Sequence, residues 1–460
     1  MVSLAIPQHH EVSEITEVAS RPILQGGIRF WLIAGFFAIF VAAGIGAYAY
    51  QVMHGLGVTG YNDSVFWAVY ESNLVAFIGI SYGGAVTSAL LRLAGAGWRA
   101  PIVRMAEAMA LVSLCVGALF GIIHLGRPDR LLELFTRPHA TSPIVWDFLA
   151  ITTYIVATVV FLYLPLIPDL GAVRDFVGPR VGGWRLRVYR ILALGWRDLP
   201  VQRRIVEQSM TVVAIVIIPL AVSVHSVLAW AFGVTVRVGW HSTILAPYFV
   251  VAALLSGVAA VILVVYAFRR AYHLEEYITV KQFRYLSYLM LALGLGYLYL
   301  TISEMLTESY VLDEQTAPLL QSMLIGSFSP FFWFFLIVGG AIPTLLVVLP
   351  WTRTPAGIAL AALLTVVGMW VKRLVIVIPP LEQPVFDRVA RGYQVSITEI
   401  LVTLGATAAI PLLLMLFFRV FPILSIDEIH EVAEEELAAH HERHEEFTGR
   451  GPVRAEGGVR

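Results

Sequence analysis

Ten apolar runs, separated by polar connections, set the plan of this chain. They cover residues 28–53, 64–93, 100–124, 142–167, 206–233, 241–269, 283–308, 328–350, 355–379 and 395–420. Each reaches the length of about 20 residues that a helix needs to cross the hydrocarbon core. Backbone groups in lipid must be satisfied within the segment, which favours helices throughout. The pattern therefore predicts an all-α integral membrane protein with ten transmembrane helices.

A faint repeat orders them. Ser142-Pro143-x-x-Trp146-x-Phe148 recurs as Ser329-Pro330-x-x-Trp333-x-Phe335, and each copy opens a span that ends in Leu-Pro. Trp67 and Gly84 have the spacing of Trp240 and Gly257. Spans two to five thus match spans six to nine in order and direction. This predicts two four-helix bundles, with the first and tenth spans peripheral. The chain divides into an N-terminal segment 1–27, a first span and outer loop 28–63, a first bundle 64–233 and a second bundle 234–379. A tenth span 395–420 and an acidic tail 421–460 follow.

Composition agrees with a lipid setting: 58% of residues are hydrophobic and 14% charged, and mean hydropathy is +0.79. Soluble domains carry about 25% charged residues. The net charge of −1 gives no basis for a nucleic-acid partner. With an N-terminus inside, most of the 31 Lys and Arg fall in cytoplasmic segments. The expected setting is the bacterial inner membrane, with both termini cytoplasmic. The loop 168–205 carries arginines interleaved with apolar residues and reads as a helix in the lipid interface. The tail reads as a solvated or docking helix, and its His440, His441 and His444 are a weak metal candidate.

Polar residues inside spans are costly and point to a partner or a cavity. His124 closes the third span and Asp147 lies one turn inside the fourth. Antiparallel packing would bring them to one membrane edge. Such a pair either locks two helices or accepts protons, since a carboxylate beside imidazole makes it a better base. A quinol, which sheds two hydroxyl protons as its electrons leave, is the natural substrate at that edge. Glu71 aligns with Ile244 in the repeat and Asp147 with Phe334, so the fold does not require either carboxylate. Tyr70, Asn73, Trp146 and Tyr154 are candidate pocket walls, and Arg127, with Arg130 and Arg137, is a basic outer group that defies the charge bias. His225 reads equally as a pocket or proton-path residue and as a helix contact. Glu304 and Glu308 end the seventh span, and Lys372 and Arg373 end the ninth on the same side. They form a structural cluster or a proton route. His241 opens the sixth span and joins the proton-path candidates. Glu107 beside Arg104, and Glu399, are weaker candidates for cytoplasmic proton entry. The single Cys115 cannot hold an iron–sulfur cluster or structural zinc and reads as a small core residue. The histidines are too few and too near the outer edge for a haem-bearing core, so no metal or haem is expected in this chain.

Segments 121–129 (GIIHLGRPD), 142–148 (SPIVWDF), 224–232 (VHSVLAWAF) and 239–249 (GWHSTILAPYF) carry a resemblance. The chain resembles the polysulfide-reductase membrane-subunit family, also called NrfD-like, over residues 25–425. Within it, the chain is most similar to the quinol-oxidising NrfD-like subunit of alternative complex III. The resemblance implies two four-helix bundles and menaquinol or quinone exchange at the outer edge of the first. It implies partners: a periplasmic iron–sulfur subunit of molybdopterin-family type, c-type cytochrome subunits and a second NrfD-like membrane subunit. Proton translocation is a further implication. The alternative reading is the quinone-exchanging anchor of a molybdenum reductase of the polysulfide or dimethylsulfoxide type. A secondary transporter is a third class, disfavoured by parallel repeats and charges at one edge.

Overall fold

The computed structural model describes residues 12–384, 391–435 and 437. Among them there is no strand, and ten helices are long and apolar enough to cross a membrane. They are α1 (Ile28–His54), α2 (Val69–Leu93), α3 (Ala100–Ile123), α4 (Pro143–Phe176), α5 (Pro200–Gly233), α6 (Leu245–Ala271), α7 (Val280–Val311), α8 (Ser329–Val348), α9 (Pro355–Glu382) and α10 (Ile397–Phe418).

Helices α2 to α5 close a ring in which each packs on the next and α5 returns to α2. Helices α6 to α9 close a second ring in the same cyclic order. The rings share a wall in which α2 meets α6 and α9. Helices α1 and α10 pack chiefly on each other, and α10 also touches α3 and α2. The chain is thus two four-helix bundles with two peripheral helices.

Glycine lets these helices approach closely, as packing in lipid favours. A methyl group on Gly83 would come within 2.4 Å of the Gly257 Cα where α2 crosses α6. Gly44 meets Gly405 between α1 and α10, and Gly339 meets Gly368 between α8 and α9. The repeat shows in the contacts. Trp67 and Trp240, equivalent in the two halves, lie with ring centroids 6.2 Å apart beside the shared wall. Equivalent residues meet in this way near a two-fold axis. The two Ser-Pro-x-x-Trp motifs also do one job. The indole N–H of Trp146 donates to Ala140 O at 2.6 Å, and that of Trp333 to Leu324 O at 3.0 Å. Each ties the first turn of its helix to the preceding loop.

Two expectations change. The loop 168–205 is shorter than its composition suggested, because α4 continues to Phe176 through Pro165 and Pro168, and α5 begins at Pro200. Prolines cost helix hydrogen bonds, but carbonyls of this stretch, Leu162 and Pro165, accept from buried Arg104. A helix does form within that loop, at Gly183–Leu192. It exposes Trp184 and Ile191, while Tyr189 is buried and donates to Val420 O at 2.9 Å. Cys115 is not a core residue: it lies on the outward face of α3, between buried Leu114 and Val116.

The acidic tail begins as a docked segment. Residues 426–435 are helical, and Ile423, Leu424, Ile426 and Ile429 are buried. Glu428 bridges Arg92 and Arg99 at 2.6 Å each. The Asp169 carboxylate accepts from the N–H groups of Ile426 and Asp427 at 3.0 Å each. The Ile423 N–H donates to Ala19 O, so both described termini share one end of the bundles. His440, His441 and His444 lie outside the described residues.

Candidate functional site

The other end of the first bundle gathers the polar groups that the sequence singles out. Glu71 sits in the first turn of α2 and Asp147 in the second turn of α4, where the helix dipoles favour negative charge. Glu71 is 6% exposed and has no hydrogen-bond partner among the described residues. The Asp147 Oδ1 is sealed from solvent and also unpartnered, and its electrostatic neighbour is Glu71.

His124 and Asp147 come to the same end but form no hydrogen bond or ion pair. The imidazole folds back on its own helix instead, with Nδ1 2.9 Å from Phe120 O. A carbonyl only accepts, so Nδ1 carries the proton and Nε2 keeps its lone pair. The ring therefore offers an acceptor nitrogen to whatever lies beside it, and is not the imidazolium of an ion pair.

The remaining wall candidates separate into groups. Tyr70 donates to Gln51 Oε1 at 2.7 Å, and Gln51 donates to Ile123 O at 3.1 Å, which braces the His124 turn. Tyr154 is fully buried, with its hydroxyl 3.5 Å from the Ser81 hydroxyl. Asn73 turns away from Asp147: it accepts from the Trp370 indole and donates to Thr403, both at 2.8 Å, joining α2 to α9 and α10. Trp146 is committed to Ala140 O, as above. Arg127 is exposed and forks onto Asp129 at 3.0 and 2.8 Å.

Glu399 is at this end too, away from the end that holds the termini, whereas it was expected on the same side as them. It occupies the first turn of α10, and that helix starts here because α10 runs back towards the termini. Its carboxylate accepts from Gly60 N–H, Ser396 N–H and the Tyr393 hydroxyl at 2.8–2.9 Å. Glu107 lies at the opposite end, in a buried cluster. Arg104 pairs with Glu107 at 3.0 Å and with Asp169 at 2.7 Å, all three at most 1% exposed. Asp169 was hidden from sequence reasoning because it sits beyond Pro168, where the span was expected to have ended. Tyr61 was missed as well: its hydroxyl is sealed and unpartnered, within electrostatic reach of Glu399 and Glu71. The available signal was a lone aromatic in the polar loop 55–64.

In the second bundle, Lys372 and Arg373 point to different neighbours. The Lys372 ammonium sits over the rings of Phe335, Tyr248 and Phe332 at 5.0, 5.4 and 5.9 Å, within electrostatic reach of Glu304 and Glu308. Arg373 donates to Met369 O and the Ser256 hydroxyl at 2.7 and 3.1 Å. Tyr248 shares a 2.7 Å hydrogen bond with Thr301 and stacks on Tyr297 at 4.6 Å. His225 is 1% exposed, and neither ring nitrogen has a partner among the described residues. It lies 4.7 Å from the Tyr82 ring and within electrostatic reach of Arg373, at the wall between the bundles. His241 is exposed and donates to Thr235 O at 2.5 Å. Among the described residues, no group of three or more His, Cys, Asp or Glu is placed to hold a metal ion.

Known proteins share this sequence pattern. The family model described as polysulphide reductase, NrfD, matches residues 57–384. The chain is 31% identical over 356 residues to a putative dimethyl sulfoxide reductase membrane subunit of Halobacterium salinarum, covering 76% of this chain and 77% of that protein. It is 28% identical to a subunit of the selenate reductase of Mesobacillus selenatarsenatis, covering 74% and 79%. It is 25% identical over 413 residues to an Hdr-like menaquinol oxidoreductase integral membrane subunit of Archaeoglobus fulgidus, covering 85% and 93%.

Proposed function

This chain belongs to the polysulphide reductase NrfD family, and on that premise we propose that it is the quinone-exchanging membrane subunit of a multi-subunit oxidoreductase. One observation carries the reading: Glu71 and Asp147, two carboxylates without hydrogen-bond partners, converge with the acceptor nitrogen of His124 at one end of the first bundle. Buried polar groups in lipid are normally paired, and a quinol head group offers the hydroxyls these acceptors lack.

In the oxidising direction, both O–H bonds of the quinol break. The protons pass to Glu71, Asp147 or Nε2 of His124. An iron–sulfur cluster held by a partner subunit would take up the two electrons one at a time, leaving quinone. In the reducing direction the same groups return the protons. The exposed Arg127, Arg130 and Arg137 beside the site offer a basic docking face for that partner. Following the charge bias, this end faces the periplasm and both termini face the cytoplasm of a bacterial inner membrane. Glu304, Glu308, Lys372, Arg373 and His225 form the polar set through which turnover would be coupled to proton translocation.

Two assemblies fit. The first is alternative complex III, in which this chain oxidises menaquinol and the electrons continue to c-type cytochromes alongside a second NrfD-like subunit. The name of the Archaeoglobus relative, a menaquinol oxidoreductase, favours quinol oxidation. The second is the anchor of a molybdenum reductase, favoured at least equally by the names of the Halobacterium and Mesobacillus relatives. Purifying the tagged chain with its partners tests this. A multihaem c-type cytochrome in the complex selects the first assembly, and a molybdenum-bearing partner selects the second. A complex that neither oxidises menadiol nor reduces menadione would sink the quinone reading itself.

A further inference from the structure

Tyr61 stands in the loop that joins α1 to α2, and its position is fixed from several sides. Gly60 N–H donates to Glu399 at 2.8 Å. The Asn62 side chain accepts from the N–H groups of Ser64 and Val65 at 2.9 Å each. Arg237, from the loop after α5, donates to Ser64 O at 3.1 Å and to Leu381 O and Gln383 O. The loop is therefore a braced cover over the end of the first bundle. Tyr61 packs its ring against Tyr70, with centroids 5.8 Å apart, and directs its hydroxyl inward.

That hydroxyl is sealed from solvent and has no hydrogen-bond partner among the described residues. Its neighbours are Glu399, Glu71, Tyr393 and Tyr70. Three of the four are committed: Glu399 to Gly60, Ser396 and Tyr393, Tyr393 to Glu399, and Tyr70 to Gln51. Glu71 alone is unpartnered. Burial, then the Glu399 and Glu71 charges, raise the Tyr61 pKa well above the usual phenol value, so the group is a donor at any physiological pH. A sealed donor without an acceptor destabilises a fold, and such groups in native proteins call for an explanation. The orphan donor of Tyr61 thus lies within electrostatic reach of Glu71, and Glu71 within electrostatic reach of Asp147, whose Oδ1 is also unpartnered.

We propose that the Tyr61 hydroxyl donates a hydrogen bond to a head-group oxygen of the bound quinone, which makes the α1–α2 loop one wall of the site. This rests on the quinone reading above and adds a residue to it. Tyrosine matches a carbonyl acceptor, while Glu71 and Asp147 match the hydroxyls of the reduced form. One site can then hold both redox states.

The test is Tyr61→Phe in the assembled complex, assayed with menadiol. The expected result is a KM about fivefold to tenfold higher, the scale of one lost hydrogen bond, with kcat within twofold. The Tm should be unchanged or higher, because the hydroxyl has no partner to lose. Tyr393→Phe is the comparison, since its hydroxyl is already bonded: it should lower Tm and leave KM within twofold. An unchanged KM in Tyr61→Phe overturns the proposal. So does a lowered Tm with unchanged KM, which marks a structural hydroxyl. Loss of turnover in Glu71→Gln beside a normal KM in Tyr61→Phe would leave the quinone site standing and remove only this residue. No turnover in the wild-type complex would overturn both.

Discussion

Asp147 lies within electrostatic reach of Glu71 and makes no hydrogen bond or ion pair with His124. The two carboxylates lie within electrostatic reach of each other near the starts of α4 and α2. The histidine is occupied by its own helix. Both would accept protons at one end of the first bundle, so on the quinone reading they serve a single site. Glu71→Gln and Asp147→Asn should each cut menadiol turnover by about a hundredfold or more, the scale of a lost acid–base group. The double variant should be little worse than either single one, as for residues that act as a unit. Steady-state kinetics on the intact complex checks this. Additive losses would show that the two carboxylates work separately.

The buried cluster at the opposite end should behave as structure. Arg104 is sealed between Glu107 and Asp169, and Asp169 also holds the backbone of the C-terminal segment. Arg104→Met strands two buried carboxylates, a loss of about 3–5 kcal/mol in comparable cases. Thermal unfolding in detergent should show a large fall in Tm, and the segment 423–435 should become open to protease. Near wild-type Tm would contradict the burial of this cluster.

Asp427 makes the same segment sensitive to pH. Burial, and then the charge of Asp169, push its pKa up to about 6. The folded carboxyl therefore keeps its proton through the window from its ordinary value of 3.8 to about 6, while the unfolded one loses it. Stability accordingly falls as pH rises through that window. The effect is on the order of 1 kcal/mol after discounting for partial exposure. Asp427→Asn should raise Tm at pH 8 and change it little at pH 4. An equal shift at both pH values would exclude titration as the cause.

The contact between bundles depends on two hydrogens in place of side chains. Gly83→Ala would put a carbon 2.4 Å from the Gly257 Cα, which forces α2 and α6 apart. Gly46→Ala, where nothing lies within 4 Å, is the control. The first should lower Tm by several degrees and the second should not. Matching melting curves for the two would mean that the crossing yields easily.

The spans were legible because lipid admits few alternatives: an apolar run of the right length is a helix, and most ends, that of α4 at Phe176 excepted, fall near the composition change. The bundles were legible from Ser142-Pro143 and Ser329-Pro330, which begin equivalent helices. Side-chain direction was not legible. The sequence brings His124 and Asp147 to one edge, yet a local carbonyl, Phe120 O, captures the imidazole. It places Lys372 and Arg373 together, yet neighbours on a helix diverge by about 100° and serve different partners. Asp169 was obscured by a proline that composition treats as an end. Tyr61 was obscured because a loop carries no periodicity from which a facing direction can be read.

Helices α1 and α10 stand outside both rings, so eight helices complete the bundles without them. Two of the braces at this end come from the outer pair: α10 supplies Glu399, which holds Gly60 of the α1–α2 loop, and α1 supplies Gln51, which holds Tyr70 in the first turn of α2. The two outer helices thus act as a hinge-post for the roof of the site. Framework and candidate site are thus braced by different helices: the eight of the two rings close on each other, and the outer pair steadies the end where the unpartnered carboxylates lie.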